Sequence, residues 1–143
     1  MAMKFYKCSV CGNIVYKVID SDMPLTCCGR QMVELRAGMT DGASEKHVPV
    51  YSEEGGIVMV KVGAEDHPMT DMHHIEFIAI ETDKGVQIRF MGKMIDNRRC
   101  FEGCGEKCPD ECKAECCFKL CEGENLLNIY SYCNLHGMYV VNC

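Results

Sequence analysis

Tryptophan is absent from this 143-residue chain, and aromatic residues make up only 8% of it. So few rings do not make a stacking platform for bases. Basic residues are in the minority, 15 Lys and Arg against 21 Asp and Glu, for a net charge of −6. That balance argues against a nucleic-acid or anionic-membrane surface. No apolar run approaches the roughly 20 residues of a membrane span. The opening residues, Met1 to Tyr6, have no apolar stretch of the secretory kind. The expectation is a cytoplasmic, soluble protein with neither nucleic acid nor membrane as partner.

Cysteine, by contrast, is abundant, with 13 residues, and apolar residues reach 48%, enough for a core. The length fits one domain, or a small one plus a medium one. In a secreted chain this cysteine content would suggest a disulfide scaffold. Without a leader, and with closely spaced cysteine pairs and histidines present, metal thiolates are the better reading.

Residues 1–37 read as a self-contained metal knot. Cys8-Ser9-Val10-Cys11-Gly12 is a knuckle in which two thiolates bracket a tight turn. Asn13 to Val18 reads as a strand, and Cys27-Cys28-Gly29 supplies two more thiolates after Pro24. So short a segment cannot bury enough apolar surface to fold alone, so a metal is expected to contribute the missing stability. Four thiolates mean tetrahedral iron or zinc. The adjacent Cys27-Cys28 pair must be bent onto one ion, which favours a distorted rubredoxin-like iron, with zinc as the alternative.

Gly38 to Glu45 is a glycine-bearing polar linker that runs into Glu45-Lys46-His47-Val48-Pro49. Short strands follow. Ile57–Val62 comes after the Gly55-Gly56 turn, and Ile75–Ile80 is largely apolar. Val86, Ile88 and Phe90 alternate with Gln87 and Arg89, after a hairpin turn at Asp83-Lys84-Gly85. Leu126–Tyr132 and Met138–Val141 complete the set. Short, regular strands with little helical periodicity predict an antiparallel β-sandwich.

Between these strands, His67-Pro68 and His73-His74 crowd an irregular loop, and near the end Cys133 and His136 stand three apart. A lone histidine is most often a surface or core residue. If His47, His67, His73 and His136 converge with Cys133, they make four neutral nitrogens and one thiolate. That set suits a redox iron better than a structural zinc, which closes at four, usually Cys-rich, ligands.

Residues 97–125 break the strand pattern as a charged insert with seven cysteines: Cys100, Cys104, Cys108, Cys112, Cys116, Cys117 and Cys121. Pro109 is placed to open a short helix with Cys112 and Cys116 on one face. Seven thiols suit a soft metal ion or an iron–sulfur cluster, or else a loop of reduced thiols or disulfides. Cys143 is left over.

These residues resemble the desulfoferrodoxin family, the two-iron superoxide reductases. The resemblance rests on Cys8-x-x-Cys11 with Cys27-Cys28, Glu45-Lys46-His47-Val-Pro, His67-Pro-Met-x-x-x-His73 and Cys133-Asn-Leu-His136-Gly, in that order. It covers about residues 4–95 and 126–141; the stretch from Asn97 to about Glu115 departs from the family pattern. It implies a mainly β fold: a rubredoxin- or desulforedoxin-like metal knot at 1–37, then an antiparallel, immunoglobulin-like β-sandwich at 38–143 carrying the insert.

The resemblance further implies two mononuclear iron sites. Cys8, Cys11, Cys27 and Cys28 hold the first. His47, His67, His73 and His136 lie around the second with Cys133 axial, His74 being the alternative should the register slip. Lys46 is implied beside the open position and Glu45 as the residue that closes it after turnover. The activity implied is one-electron reduction of superoxide to hydrogen peroxide, detoxifying oxygen species in an anaerobe, with a rubredoxin-like electron donor and a homodimeric state. The rival readings are a rubredoxin-like electron carrier using only the first site, and a Cys-rich metal-binding or metal-sensing protein.

Overall fold

Burial with a period of two marks one of the strands that build the core. In Ile57–Val62, Val58, Val60 and Val62 are buried while Met59 is exposed. Such alternation lays one apolar face against a partner sheet. The computed structural model describes residues 3–37, 44–101 and 113–143, without the side chains of Ser44 and Glu45.

The first segment holds β1 (Phe5–Lys7), β2 (Ile14–Tyr16), β3 (Thr26–Cys27), β4 (Arg30–Gln31) and β5 (Val33–Leu35). They form a three-stranded antiparallel sheet, β2-β1-β5, and a two-stranded hairpin, β3-β4. The strand expected at Asn13 to Val18 is shorter, Ile14–Tyr16. One helical turn, α1 (Ser44–His47), then precedes β6 (Pro49–Glu54), β7 (Ile57–Val62), β8 (Ile75–Thr82) and β9 (Val86–Phe90). After these come β10 (Lys93–Ile95), β11 (Arg98–Cys100), β12 (Glu115–Lys119), β13 (Leu126–Cys133) and β14 (Gly137–Asn142).

Two antiparallel sheets, β12-β7-β6 and β14-β13-β8-β9, face each other. Val58, Val60 and Phe118 from the first meet Ile78, Ile80 and Ile129 from the second. The alternate residues of the same strands, Phe77, Ala79, Tyr130 and Tyr132, form a second cluster with Met3 and Phe5 of the N-terminal segment. The four-stranded sheet is thus covered on both faces. This is why Ile75–Ile80 is a nearly unbroken apolar run and not an alternating one. Two long-range bonds tie the layers: Met3 N–H donates to the Tyr130 hydroxyl at 3.0 Å, and Lys7 Nζ to that of Tyr132 at 3.0 Å.

The stretch 97–125 is not wholly foreign to the sandwich. It contains β11 and all of β12, which pairs with β7 from Glu115↔Lys61 to Lys119↔Ile57. Cys116 therefore lies on a strand opposite Val60, not on a helix, and its neighbour Cys117 points to the other face, exposed. Alternation is the reason: Ala114, Phe118 and Leu120 enter the core, and Cys116 packs with them as a small apolar side chain. Burial pushes its thiol up to about 12. Truncating Phe118, only 1% exposed, is expected to lower stability by about 3–5 kcal/mol. A urea midpoint unchanged in Phe118→Ala would show that β12 contributes nothing to the core.

Candidate metal centre

Four cysteines and, apart from them, four histidines with one cysteine are drawn together by turns whose geometry their neighbours dictate. The β3–β4 hairpin turns on Cys28 and Gly29, with φ of 52° and 72°. A two-residue turn with both φ positive is the type that matches strand twist. Here it places a non-glycine in the left-handed region, and so aims adjacent side chains at one point. On the facing knuckle, the N–H groups of Val10 and Cys11 donate to Cys8 Sγ at 3.4 and 3.5 Å. They draw the Cys8 thiol down to about 6. The hydrogen bonds of the neighbouring thiols instead push Cys28 up to about 12 and raise Cys27. The four sulfurs lie within 4.8 Å of one another, with Cys11 to Cys27 at 3.6 Å and Cys27 to Cys28 at 4.0 Å. A tetrahedral ion with metal–sulfur bonds of about 2.3 Å has sulfur–sulfur edges of about 3.8 Å. The set fits such an ion and is far too wide for disulfides.

The second set forms where the strands of both sheets end. His47 closes α1 before β6, His67 and His73 sit in the loop from β7 to β8, and Cys133 and His136 flank the turn from β13 to β14. Pairing of Cys133 with Gly137 leaves a three-residue turn, with Gly137 at φ 84°. This is a hairpin in which glycine takes the left-handed position. It brings His136 Nδ1 to 3.6 Å from Cys133 Sγ.

The four imidazoles form a square. Neighbouring ring centres, in the order 47–67–73–136, are 4.6, 4.7, 5.0 and 4.8 Å apart and steeply tilted to one another. The diagonal from His47 to His73 is 6.3 Å. His47 Nε2 is 3.1 Å from His67 Nε2 and 3.0 Å from His136 Nδ1. Metal–nitrogen bonds of about 2.1 Å give nitrogen–nitrogen edges of about 3.0 Å at right angles and about 3.4 Å in a tetrahedron. The measured edges match the right-angled case. Cys133, 0% exposed and part of the main core, has its sulfur within 4.8 Å of a ring nitrogen of each of His47, His67 and His73.

Hydrogen-bond arithmetic shows that these residues fit a cation. His67 Nδ1–H donates to the Pro68 carbonyl at 2.7 Å, leaving a lone pair on Nε2 that faces His47. A single proton on His47 Nε2 cannot serve both of its ring neighbours. His73 Nε2 is the one buried side-chain nitrogen or oxygen among the described residues without a hydrogen-bond partner. Such an orphan is costly unless something binds it. Burial, foremost, and the facing imidazoles hold His67 down to about 4 and lower His73 as well. Both therefore stay neutral, as a ligand must. Burial raises the Cys133 thiol, against the pull of the His136 and Leu135 N–H groups.

A proton bound by unfolded His67 near pH 6.5, but by the folded protein only near pH 4, makes stability rise with pH across that window. For the metal-free protein the gain is roughly 3 kcal/mol, fully present above pH 6.5 and lost as the pH falls towards 4. Urea denaturation at pH 4.5 and 7 checks this; His67→Asn should flatten the difference.

Residues next to the square hold it in place. Ser131 Oγ donates to the His47 carbonyl at 2.7 Å, and Tyr139 stacks on the His47 ring at 4.7 Å. Thr70 accepts from His73 N–H at 3.0 Å and donates its own N–H to the His73 carbonyl at 2.9 Å. No sequence motif marked these, since their partners are distant or irregularly spaced. Both ring nitrogens of His74 have other partners. Its Nδ1 lies 2.8 Å from the Thr70 carbonyl and its Nε2 3.2 Å from Glu76, and its ring stacks on Phe101 at 3.5 Å. Successive side chains of extended backbone point apart, so only one of the adjacent pair reaches the square.

Lys46 is exposed on α1. Its charge is the last of five influences lowering His73, behind burial, His136, His47 and His74. Glu45 lies on the same turn, its side chain outside the described residues. Among the described residues, Cys100, Cys116, Cys117 and Cys121 form no further donor cluster. Cys104, Cys108 and Cys112 lie outside those residues. Cys143 donates its thiol to the Val141 carbonyl at 3.9 Å.

Fold and sites together define a class: a β-sandwich metalloprotein with a mononuclear His–Cys centre at one end and a separate four-thiolate knot. Comparisons narrow it. Residues 39–142 match the desulfoferrodoxin family model and residues 1–35 the desulfoferrodoxin N-terminal domain model. A desulfoferrodoxin homolog of Archaeoglobus fulgidus is 37% identical over 96% of this chain and 94% of its own. The desulfoferrodoxin of Nitratidesulfovibrio vulgaris is 35% identical over 94% and 91%. The crystal structure of the superoxide reductase from Treponema pallidum matches 99% of this chain and 100% of its own, with a TM-score of 0.73 at 26% identity. The chain belongs to the desulfoferrodoxin family. In that family the two donor sets correspond to two iron sites per chain. No helix among the described residues is long and apolar enough to cross a membrane.

Proposed function

We propose that this protein is a superoxide reductase: superoxide, one electron and two protons give hydrogen peroxide. One observation carries the reading, the square of four imidazoles with a buried cysteine sulfur beside it. His47, His67, His73, His136 and Cys133 are the residues that would hold iron. Iron held there would supply the electron.

The chain's own residues do the rest. Beside neutral imidazoles, the Cys133 thiolate would be the only anionic donor and would push electron density toward the iron. The pull of the His136 and Leu135 N–H groups on the sulfur tempers that donation. Lys46 attracts the superoxide anion to a chain of net charge −6 and orders water for proton delivery. Glu45 is assigned, on the family resemblance, to closing the vacant position between turnovers.

A rubredoxin-like carrier function does not account for the imidazole square, and the described part of the Cys-rich stretch offers no metal cluster to sense with. The same reading takes residues 1–37 as the four-Cys iron domain, with zinc its competitor there, and 38–143 as the catalytic domain. It places the protein in the cytoplasm as a homodimer that receives electrons from a rubredoxin-like donor. The test is stoichiometric. A reductase yields one peroxide per superoxide with no dioxygen released, at two irons per chain. Release of one dioxygen for every two superoxides would make the protein a dismutase and overturn the assignment.

A further inference from the structure

Between the two cysteine-flanking ligand positions of the second site lies a residue that the reaction does not use, Asn134, and its amide contacts are unusually placed. Its Oδ1 accepts the His74 N–H at 2.8 Å, and its Nδ2 donates to the Met72 carbonyl at 3.0 Å. Its own backbone N–H donates to the His74 carbonyl at 3.1 Å. The two side-chain bonds grip the peptide groups on either side of His73. Asn134 itself is bonded directly to Cys133. One residue therefore fixes the loop carrying one corner of the square against the turn carrying the axial sulfur and His136.

We propose that Asn134 is a positioning residue that presets the distance between His73 and the Cys133–His136 turn, so that the donor set is assembled before metal arrives. The inference rests on the reading of this cluster as a metal site. The physical case is one of entropy and geometry. The loop from Gly63 to His74 has no strand to hold it, and His73 Nε2 has no hydrogen-bond partner to keep it in place. Thr70 closes the loop on itself but does not tie it to the turn. Among the hydrogen bonds described, those of Asn134 alone span from the residues flanking His73 to that turn. A carboxamide suits the task because it donates and accepts at once. A carboxylate can keep only the accepting half, and serine is too short to bridge both peptides.

The experiment is a Co(II) titration of the full-length chain, competed with a chelator. The four-Cys site serves as an internal control because its thiolate spectrum is distinct. In Asn134→Ala, affinity at the His–Cys site is expected to fall about 10–100-fold, the usual cost of losing an outer partner of a metal ligand. The four-Cys site should be unchanged. Asn134→Asp should fall between wild type and Ala, and the Co(II) ligand-field bands of the His–Cys site should shift in both variants. A purely structural role would lower the melting temperature of the metal-free protein and leave affinity and bands alone. That result, or an affinity within twofold of wild type in Asn134→Ala, would overturn the proposal. If the wild-type chain takes up no Co(II) beyond the four-Cys site, the metal-site reading itself fails, a result distinguishable from the failure of Asn134 alone. Should Asn134→Ala not fold, Asn134→Asp carries the same comparison.

Discussion

Replacing Cys133 by serine is expected to abolish the thiolate-to-iron charge-transfer absorption of the oxidised protein. The rate of superoxide reduction should fall by more than the roughly 10–100-fold that loss of an outer-shell partner costs. Cys133 is wholly buried, and burial raises its thiol, so without a metal the proton stays on sulfur. A cation held by these residues would displace that proton and leave Cys133 as the charged donor among them. Serine keeps the approximate shape but not the soft, polarisable donor. The visible spectrum and pulse-radiolysis kinetics read the two effects separately. A charge-transfer band that persists in Cys133→Ser would remove Cys133 from the site.

The second large effect concerns Lys46. In Lys46→Ala, the second-order rate of superoxide capture at low salt should drop by about tenfold or more, within the 10–10³ range open to electrostatic steering. Its ionic-strength dependence should also flatten. The argument is local: the chain as a whole is acidic, so an anion is drawn in only by a cation close to the square. Lys46 is exposed and near enough to influence His73. Lys46→Arg should retain the salt dependence. Equal rates and equal salt slopes in wild type and Lys46→Ala would end this role.

Much of the site was legible because metal chemistry restricts residue types and spacings. Cys8-x-x-Cys11, the Cys27-Cys28 pair and the cluster from His67 to His74 stand out against a chain with five histidines. The preference for His73 over His74 followed from alternation; in the fold His74 stacks on Phe101, while His73 lies among the other three rings. What stayed hidden was the supporting set. Ser131 reaches His47 across 84 residues and Asn134 reaches His74 across 60. No local pattern encodes such pairs. The strand β12 was obscured for a different reason: cysteines at 116 and 117 look like ligands in a cysteine-rich stretch, whereas Cys116 packs as an apolar side chain under the sheet.

By itself the sequence determined the β pattern, the thiolate and imidazole inventory and the family, since periodicity and ligand chemistry act over a few residues at a time. Only the tertiary structure decided that four rings make a square and not a tetrahedron, that the buried Cys133 sulfur lies beside it, and that the four-stranded sheet is covered on both faces. Those facts depend on which strand ends meet. That is set by packing between segments far apart in the chain, where the free energy of burying Phe118, Ile78 and their neighbours chooses the register.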